Sequence, residues 1–153
     1  MRFLELKIPP PAVALLLALG VGTVASLTHT YAQPDLLRLV LTKALVVVAV
    51  AFDLSGLLAF RRARTTINPM RPGASSVVVT GGVYRITRNP MYVGLVLLLC
   101  GWSVYLGSPW AWLGPLAFVG YVTRFQIVPE ERALTRLFGA DYVAYCAKVR
   151  RWL

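Results

Sequence analysis

Apolar positions along this 153-residue chain gather into four long runs separated by short polar stretches. Residues 11–30 and 36–60 form the first two, residues 90–106 the third and residues 110–127 the fourth. A helix rises about 1.5 Å per residue, so about 17–25 apolar residues cross the hydrocarbon of a bilayer. The pattern therefore predicts an all-α integral membrane protein with about four transmembrane helices. Gly107-Ser108-Pro109 carries no charge and is very short, which predicts a tight antiparallel hairpin of the third and fourth helices. Gly20 and Gly22 lie inside the first run and suit a close helix-packing surface.

Beyond residue 127 the pattern changes. Pro129 suits a first helical position, and Leu134, Leu137 and Phe138 recur at helical spacing up to Gly139, a C-terminal cap. Asp141 then starts a second short helix with Tyr142, Tyr145, Cys146 and Val149 on one side. This predicts an amphipathic C-terminal segment that lies on anionic headgroups, covers a site at the helix ends, or does both.

Composition sharpens the class. At 58% hydrophobic residues, a single domain of this length has more apolar surface than a soluble fold can cover. The formal charge of +10 does not indicate nucleic-acid binding, because the basic residues flank apolar runs instead of lining one solvated face. Arg61, Arg62, Arg64, Arg71, Arg85 and Arg88 lie between the second and third runs, and Arg132, Arg136, Lys148, Arg150 and Arg151 follow the fourth. With Arg2 and Lys7 before the first run, this bias places both termini and the 61–90 loop in the cytoplasm. A secretory signal peptide over the first run is the competing reading, but the run is long for an h-region. Cys100, Cys146 and the lone His29 offer neither a disulfide framework nor a metal-ligand spacing. No Gly-rich phosphate loop follows a strand pattern.

Candidate chemistry clusters where helices should meet the membrane surface. Tyr84, Arg85, Arg88 and Tyr92 crowd the entry to the third run, and Glu130-Glu131 follows the fourth. Each piece has a plain structural reading. Asn89-Pro90 is also a helix cap with proline at the first position, the two glutamates also favour a helix dipole, and the arginines also anchor to headgroups. Asp53 lies within the second run, about 12 Å below its basic end, where an acid usually faces a protein interior or a cavity. It suits contact with a ligand or a pair with Arg124, itself also placed to snorkel.

Tyr84, Arg88-Asn89-Pro90-Met91-Tyr92, the helical hairpin, Glu130-Glu131, and Leu137-Phe138-Gly139 with Tyr142 and Tyr145 together resemble the isoprenylcysteine carboxyl methyltransferases. That family is related to the membrane phospholipid methyltransferases. The resemblance covers residues 61–150, and it implies methyl transfer from S-adenosylmethionine to a lipophilic acceptor. It assigns cofactor contacts to Ser76, Val77, Val78, Val79, Tyr84, Asn89, Pro90, Met91, Tyr92 and Glu130. Asn89 stands where the family has histidine, so a histidine acid/base role has no carrier. Glu130 or Glu131 suits the ribose or ammonium of such a cofactor, Arg88 its carboxylate, and Tyr84 and Tyr92 its adenine or sulfonium.

The carboxyl methyltransferases have arginines at two positions that fall here on Arg124 and Gln126. Arg124 and Asp53 are thus the candidates at the acceptor end, with carboxylate, amine, hydroxyl and thiol acceptors all open. Arg64-Thr65-Thr66-Ile67-Asn68-Pro69 resembles bacterial members, which implies an inner-membrane location; Asn68 fits a cofactor contact or a turn. Two other classes compete. One is a membrane reductase with a related helical core that uses NADPH, and the other is a non-enzymatic scaffold or transporter. Neither accounts for the joint order of the motifs.

Overall fold

Three consecutive prolines set where the first helix begins. A proline lacks the N–H that a first helical turn leaves unused, so Pro10 and Pro11 open α1 (Pro10–Leu27) at no cost in hydrogen bonding. The computed structural model describes residues 5–63 and 77–153. Ser76, Asn68, Arg64, Arg71 and Arg2 lie outside the described residues. Among those described, α1 is followed by α2 (Leu36–Ala63), α3 (Pro90–Leu106), α4 (Leu113–Val122), α5 (Val128–Phe138) and α6 (Ala140–Lys148). Single 3-10 turns precede α3 and α4, at Gly82–Arg85 and Pro109–Trp112.

α1 and α2, with 18 and 28 residues, are long and apolar enough to cross a membrane. α3 is equally apolar at 17 residues, or about 26 Å. The fourth run is not one regular helix. It is divided into a 3-10 turn, α4 and the π turn Thr123–Ile127, and it continues without a break into α5. Pro129 accounts for the widened turn. It has no N–H to give the Phe125 carbonyl one turn back, and its ring would crowd that oxygen in a regular helix. The freed Phe125 carbonyl accepts the Leu6 N–H at 3.0 Å instead. Beside it, Gln126 is fully buried and its Nε2 donates to the Ile8 carbonyl at 2.7 Å. The chain before α1 is thus fastened across the α4–α5 junction.

α2 packs along α3 through small residues. A Cβ on Gly56 would lie 3.0 Å from Met91, and one on Gly101 would touch Leu45 and the Thr42 carbonyl. A Cβ on Gly94 would collide with the Asp53 carboxylate. These three glycines form the close-approach surface expected at Gly20 and Gly22. Gly22 faces Trp102 at ordinary contact distance, and Gly20 faces open space. The outer face of α2 leaves Leu37, Val40 and Val47 exposed, with only Ala49 and Gly56 of the helix buried, as suits a lipid-facing helix. The principal core joins Val13 and Ala14 of α1, Tyr92 and Leu99 of α3, and Phe118, Val122 and Ile127 of the fourth helical path.

The hairpin between α3 and α4 turns on Gly107, whose φ of 64° is left-handed. Arg38 occupies the space beside it. Its guanidinium donates to the carbonyls of Val104 and Tyr105, at 3.0 and 2.6 Å, and to those of Ala32 and Gln33, at 3.2 and 3.3 Å. Asp35 caps α2 by accepting the Arg38 N–H at 2.8 Å. Arg38 therefore satisfies α3 carbonyls that have no helical partner, a role its position as a loop charge does not announce. Arg38→Ala is expected to cost about 2–3 kcal/mol, since several carbonyls lose a charged donor. Denaturant unfolding in detergent measures this, and a loss below about 0.5 kcal/mol would reject the capping role.

Candidate functional site

Where the end of α2, the start of α3, α5 and α6 converge, they leave a cavity of about 710 Å³. Its wall collects residues remote in sequence: Asp53 from α2, Val77, Val78 and Val79 before the 3-10 turn, and Tyr84 within it. Arg88, Asn89, Pro90, Met91 and Tyr92 supply the side at the start of α3, and Glu130 and Glu131 supply the facing side from α5. Tyr142 and Tyr145 of α6 close one end, and Pro9, Pro10 and Pro11 form part of the wall. Every cofactor-binding candidate inside the described residues thus borders one space.

α5 aims the two glutamates differently. Glu130 accepts the Tyr92 hydroxyl at 2.5 Å. Its carboxyl borders the cavity but is withdrawn from bulk solvent, and burial pushes its pKa up to about 8 against the opposing hydrogen bond from Tyr92. Glu131 faces cations: Arg88 Nη1 lies 3.1 Å from its Oε1, while Arg151 donates to Oε1 at 3.0 Å and to Oε2 at 2.7 Å. Arg88 and Glu131 are 13% and 18% exposed and Arg151 is 38% exposed, so the shared carboxylate is better shielded than its outer partner. Arg88 Nη1 also donates to Cys146 Sγ at 2.6 Å. Arg88 Nε is buried with no hydrogen-bond partner among the described residues.

The tyrosines are held as neutral donors and apolar faces. Burial raises the Tyr84 and Tyr142 hydroxyls well above their ordinary range, and pushes Tyr145 up to about 12 against the influence of Arg88. Tyr145 donates to the Tyr84 carbonyl at 2.8 Å, and Phe60 meets the Tyr84 ring edge-on at 5.5 Å. α6 is tied in this way to the segment before α3.

Several expectations need correction. Arg124 is not at the cavity and does not pair with Asp53. Its guanidinium lies half-exposed in the π turn, 3.0 Å from Glu5, which also binds Arg132. The reason is the strap formed by residues 5–9. The Leu6 N–H bonds the Phe125 carbonyl and the Ile8 carbonyl accepts the Gln126 side chain, which holds the strap on the π turn and fixes the Glu5 carboxylate beside Arg124. The two cations lower the Glu5 pKa, the Arg124 hydrogen bond foremost. Asp53 reaches the cavity but lies against Gly94, with no ion pair among the described residues. Asn89 makes no side-chain cap on α3. Its Nδ2 donates to the Arg151 carbonyl at 2.8 Å.

The residues that sequence reasoning missed lie in the tail. Arg88 N–H donates to the Arg150 carbonyl at 3.0 Å, and the fully buried Thr87 donates through its hydroxyl to the Arg151 carbonyl at 3.3 Å. Trp152 packs on the principal core. An isolated tryptophan between basic residues and the last residue of the chain was the available signal. Trp152→Ala is expected to loosen the tail and destabilise the fold by about 2 kcal/mol, less than a fully buried tryptophan would cost. Thermal unfolding in detergent measures this, and wild-type stability would rule out an anchoring role.

The phospholipid methyltransferase family matches residues 37–141, which include α2, α3, α4, α5 and most of the described cavity wall. An uncharacterized protein of Haemophilus influenzae is 46% identical over 63 residues, 41% of this chain and the whole of that relative. Protein-S-isoprenylcysteine O-methyltransferase B of Arabidopsis thaliana is 39% identical over 75 residues, 47% of this chain and 36% of the plant protein. The Protein-S-isoprenylcysteine O-methyltransferase of Xenopus laevis is 38% identical over 81 residues, 49% of this chain and 26% of the frog protein. The matches to these two methyltransferases therefore span about a quarter to a third of their length. No solved structure matches.

Proposed function

We propose that this chain, which belongs to the phospholipid methyltransferase family, is an integral membrane enzyme that transfers a methyl group from S-adenosylmethionine to a lipophilic acceptor. The observation that carries this reading is the cavity that joins Tyr84, Arg88 and Tyr92, at and just before the start of α3, to Glu130 of α5. The residues fit the cofactor's groups. The Arg88 guanidinium at the wall suits a carboxylate, Glu130 suits a cation or a ribose hydroxyl, and the neutral tyrosines offer faces to adenine or sulfonium. Val77, Val78 and Val79 border the same wall, where their backbone groups would meet the cofactor.

S-adenosylmethionine would supply an activated methyl group on a positively charged sulfur. The chain's part is to orient and to exclude water, since an in-line methyl displacement gains more from positioning than from strong acid/base chemistry. Apolar side chains such as Leu54, Leu57 and Leu95 line the same cavity, as a lipophilic acceptor requires. Asp53 also lines it and would meet a polar group of the acceptor. Arg124 has no part in this proposal, because Glu5 holds it elsewhere. Both termini face the cytoplasm of a bacterial inner membrane in this reading, so the water-soluble cofactor and the membrane-borne acceptor enter from different sides.

Calorimetry of S-adenosylmethionine binding to detergent-purified protein tests the assignment. The Glu130 carboxyl, with its pKa up at about 8, is mostly protonated at pH 7 without a ligand, and a cationic ligand favours its ionised form. Binding at pH 7 is therefore expected to release up to about one proton, read from the heat in buffers of different ionisation enthalpy. Glu130→Gln should abolish that release and weaken binding at least about tenfold, while Arg124→Gln should leave affinity within about twofold. Unchanged affinity in Glu130→Gln would remove the residue from the site. The sign for folding is the opposite of the usual carboxylate: Glu130's contribution to stability falls as pH rises from its ordinary 4.5 towards about 8, because the folded state holds the proton.

A further inference from the structure

Two guanidinium groups share one carboxylate at the edge of the cavity. We propose that Arg151 is a positioning residue, which occupies Glu131 so that Arg88 keeps a net positive charge for the carboxylate of the bound cofactor. The inference rests on the cofactor reading above and adds a residue of the C-terminal tail to it.

The geometry divides Glu131 unequally. Arg151 reaches both carboxylate oxygens, Nε to Oε1 at 3.0 Å and Nη2 to Oε2 at 2.7 Å, the forked pairing that fits a planar guanidinium best. Arg88 touches Oε1 alone, through Nη1 at 3.1 Å. Two guanidinium charges and one carboxylate leave the group with one net positive charge. Arg88 lines the cavity and Arg151 does not, and the open buried donor, Nε, belongs to Arg88. The surplus charge and the unused hydrogen bond thus sit on the same side chain at the cavity wall. With Arg151 absent, Glu131 would have both oxygens free for Arg88, and the pair would be neutral.

The tail is docked by other means than this side chain. Arg88 N–H bonds the Arg150 carbonyl, Thr87 and Asn89 bond the Arg151 carbonyl, and Trp152 packs on the core. All of these survive replacement of the Arg151 side chain. A variant at this position therefore probes charge at Arg88 more than folding.

The test compares two ligands on the full-length chain in detergent. S-adenosylhomocysteine carries the amino-acid carboxylate, whereas 5′-methylthioadenosine keeps the nucleoside and sulfur and lacks it. Arg151→Gln is expected to weaken S-adenosylhomocysteine roughly tenfold and to leave methylthioadenosine within about twofold. Arg151→Lys, which restores charge without the fork, should recover part of that loss. Arg136→Gln, which removes the same charge from the far end of α5, should change neither ligand. Equal weakening of both ligands in Arg151→Gln, or no weakening of either, overturns the assignment while leaving the cofactor reading in place. A wild-type chain that binds neither ligand overturns the cofactor reading and this assignment with it.

Discussion

Pro129 cannot donate a backbone hydrogen bond, and much of the described architecture follows from how the chain accommodates that loss. The helical path from Leu113 to Phe138 stays continuous by widening into a π turn at Thr123–Ile127. The carbonyl released at Phe125 takes the Leu6 N–H, and the neighbouring Gln126 takes the Ile8 carbonyl. This strap carries Glu5 to Arg124 and Arg132 and leads into the prolines that wall the cavity. Immediately after the proline, Glu130 and Glu131 occupy the first turn of α5 and so face the start of α3 across the cavity. One missing N–H thus helps to place an N-terminal strap, the arginine it holds and two acids of the cavity wall.

The close approach of α2 and α3 provides the other side of the site. Gly56, Gly94 and Gly101 let the helices meet without intervening Cβ atoms, and Asp53 lies against the backbone gap at Gly94. The cavity wall combines leucines with charged and hydroxyl groups, and the outer surface of α2 is apolar. Such a space can take a water-soluble group at one end and a hydrocarbon group at the other. This fits a family that acts on lipid-like acceptors. In the proposed reading, the polar cofactor would meet charge-assisted hydrogen bonds while the acceptor stayed in an apolar environment.

Charge in the site is arranged as a chain of shared partners. Tyr92 answers Glu130, while Arg151 and Arg88 answer Glu131. The C-terminal residues take part through both backbone and side chain, so the tail belongs to the site although no motif marks it. Shielded carboxylates need such partners, because an isolated ionised carboxylate away from water is costly.

Much was legible from sequence alone. Hydropathy and turn chemistry marked helices close to those observed: α3 begins at Pro90 and ends at Gly107, and Gly139 separates α5 from α6 as its residue type suggests. These features are local, since a run of apolar side chains, a proline at a first turn and a glycine at a left-handed turn each act within a few residues. Tyr84, Arg88, Tyr92 and Glu130, singled out by their side-chain types and by the family resemblance, all border the cavity. What sequence could not determine was pairing. Arg124 was as good a partner for Asp53 as for Glu5, and Asn89 as good a cap as a tail anchor, until the π turn and the docked tail fixed which groups lie within hydrogen-bond reach. Partner choice for a charge or a buried donor depends on distances of a few ångströms between segments as far as 127 residues apart, and only the packed tertiary structure sets those distances.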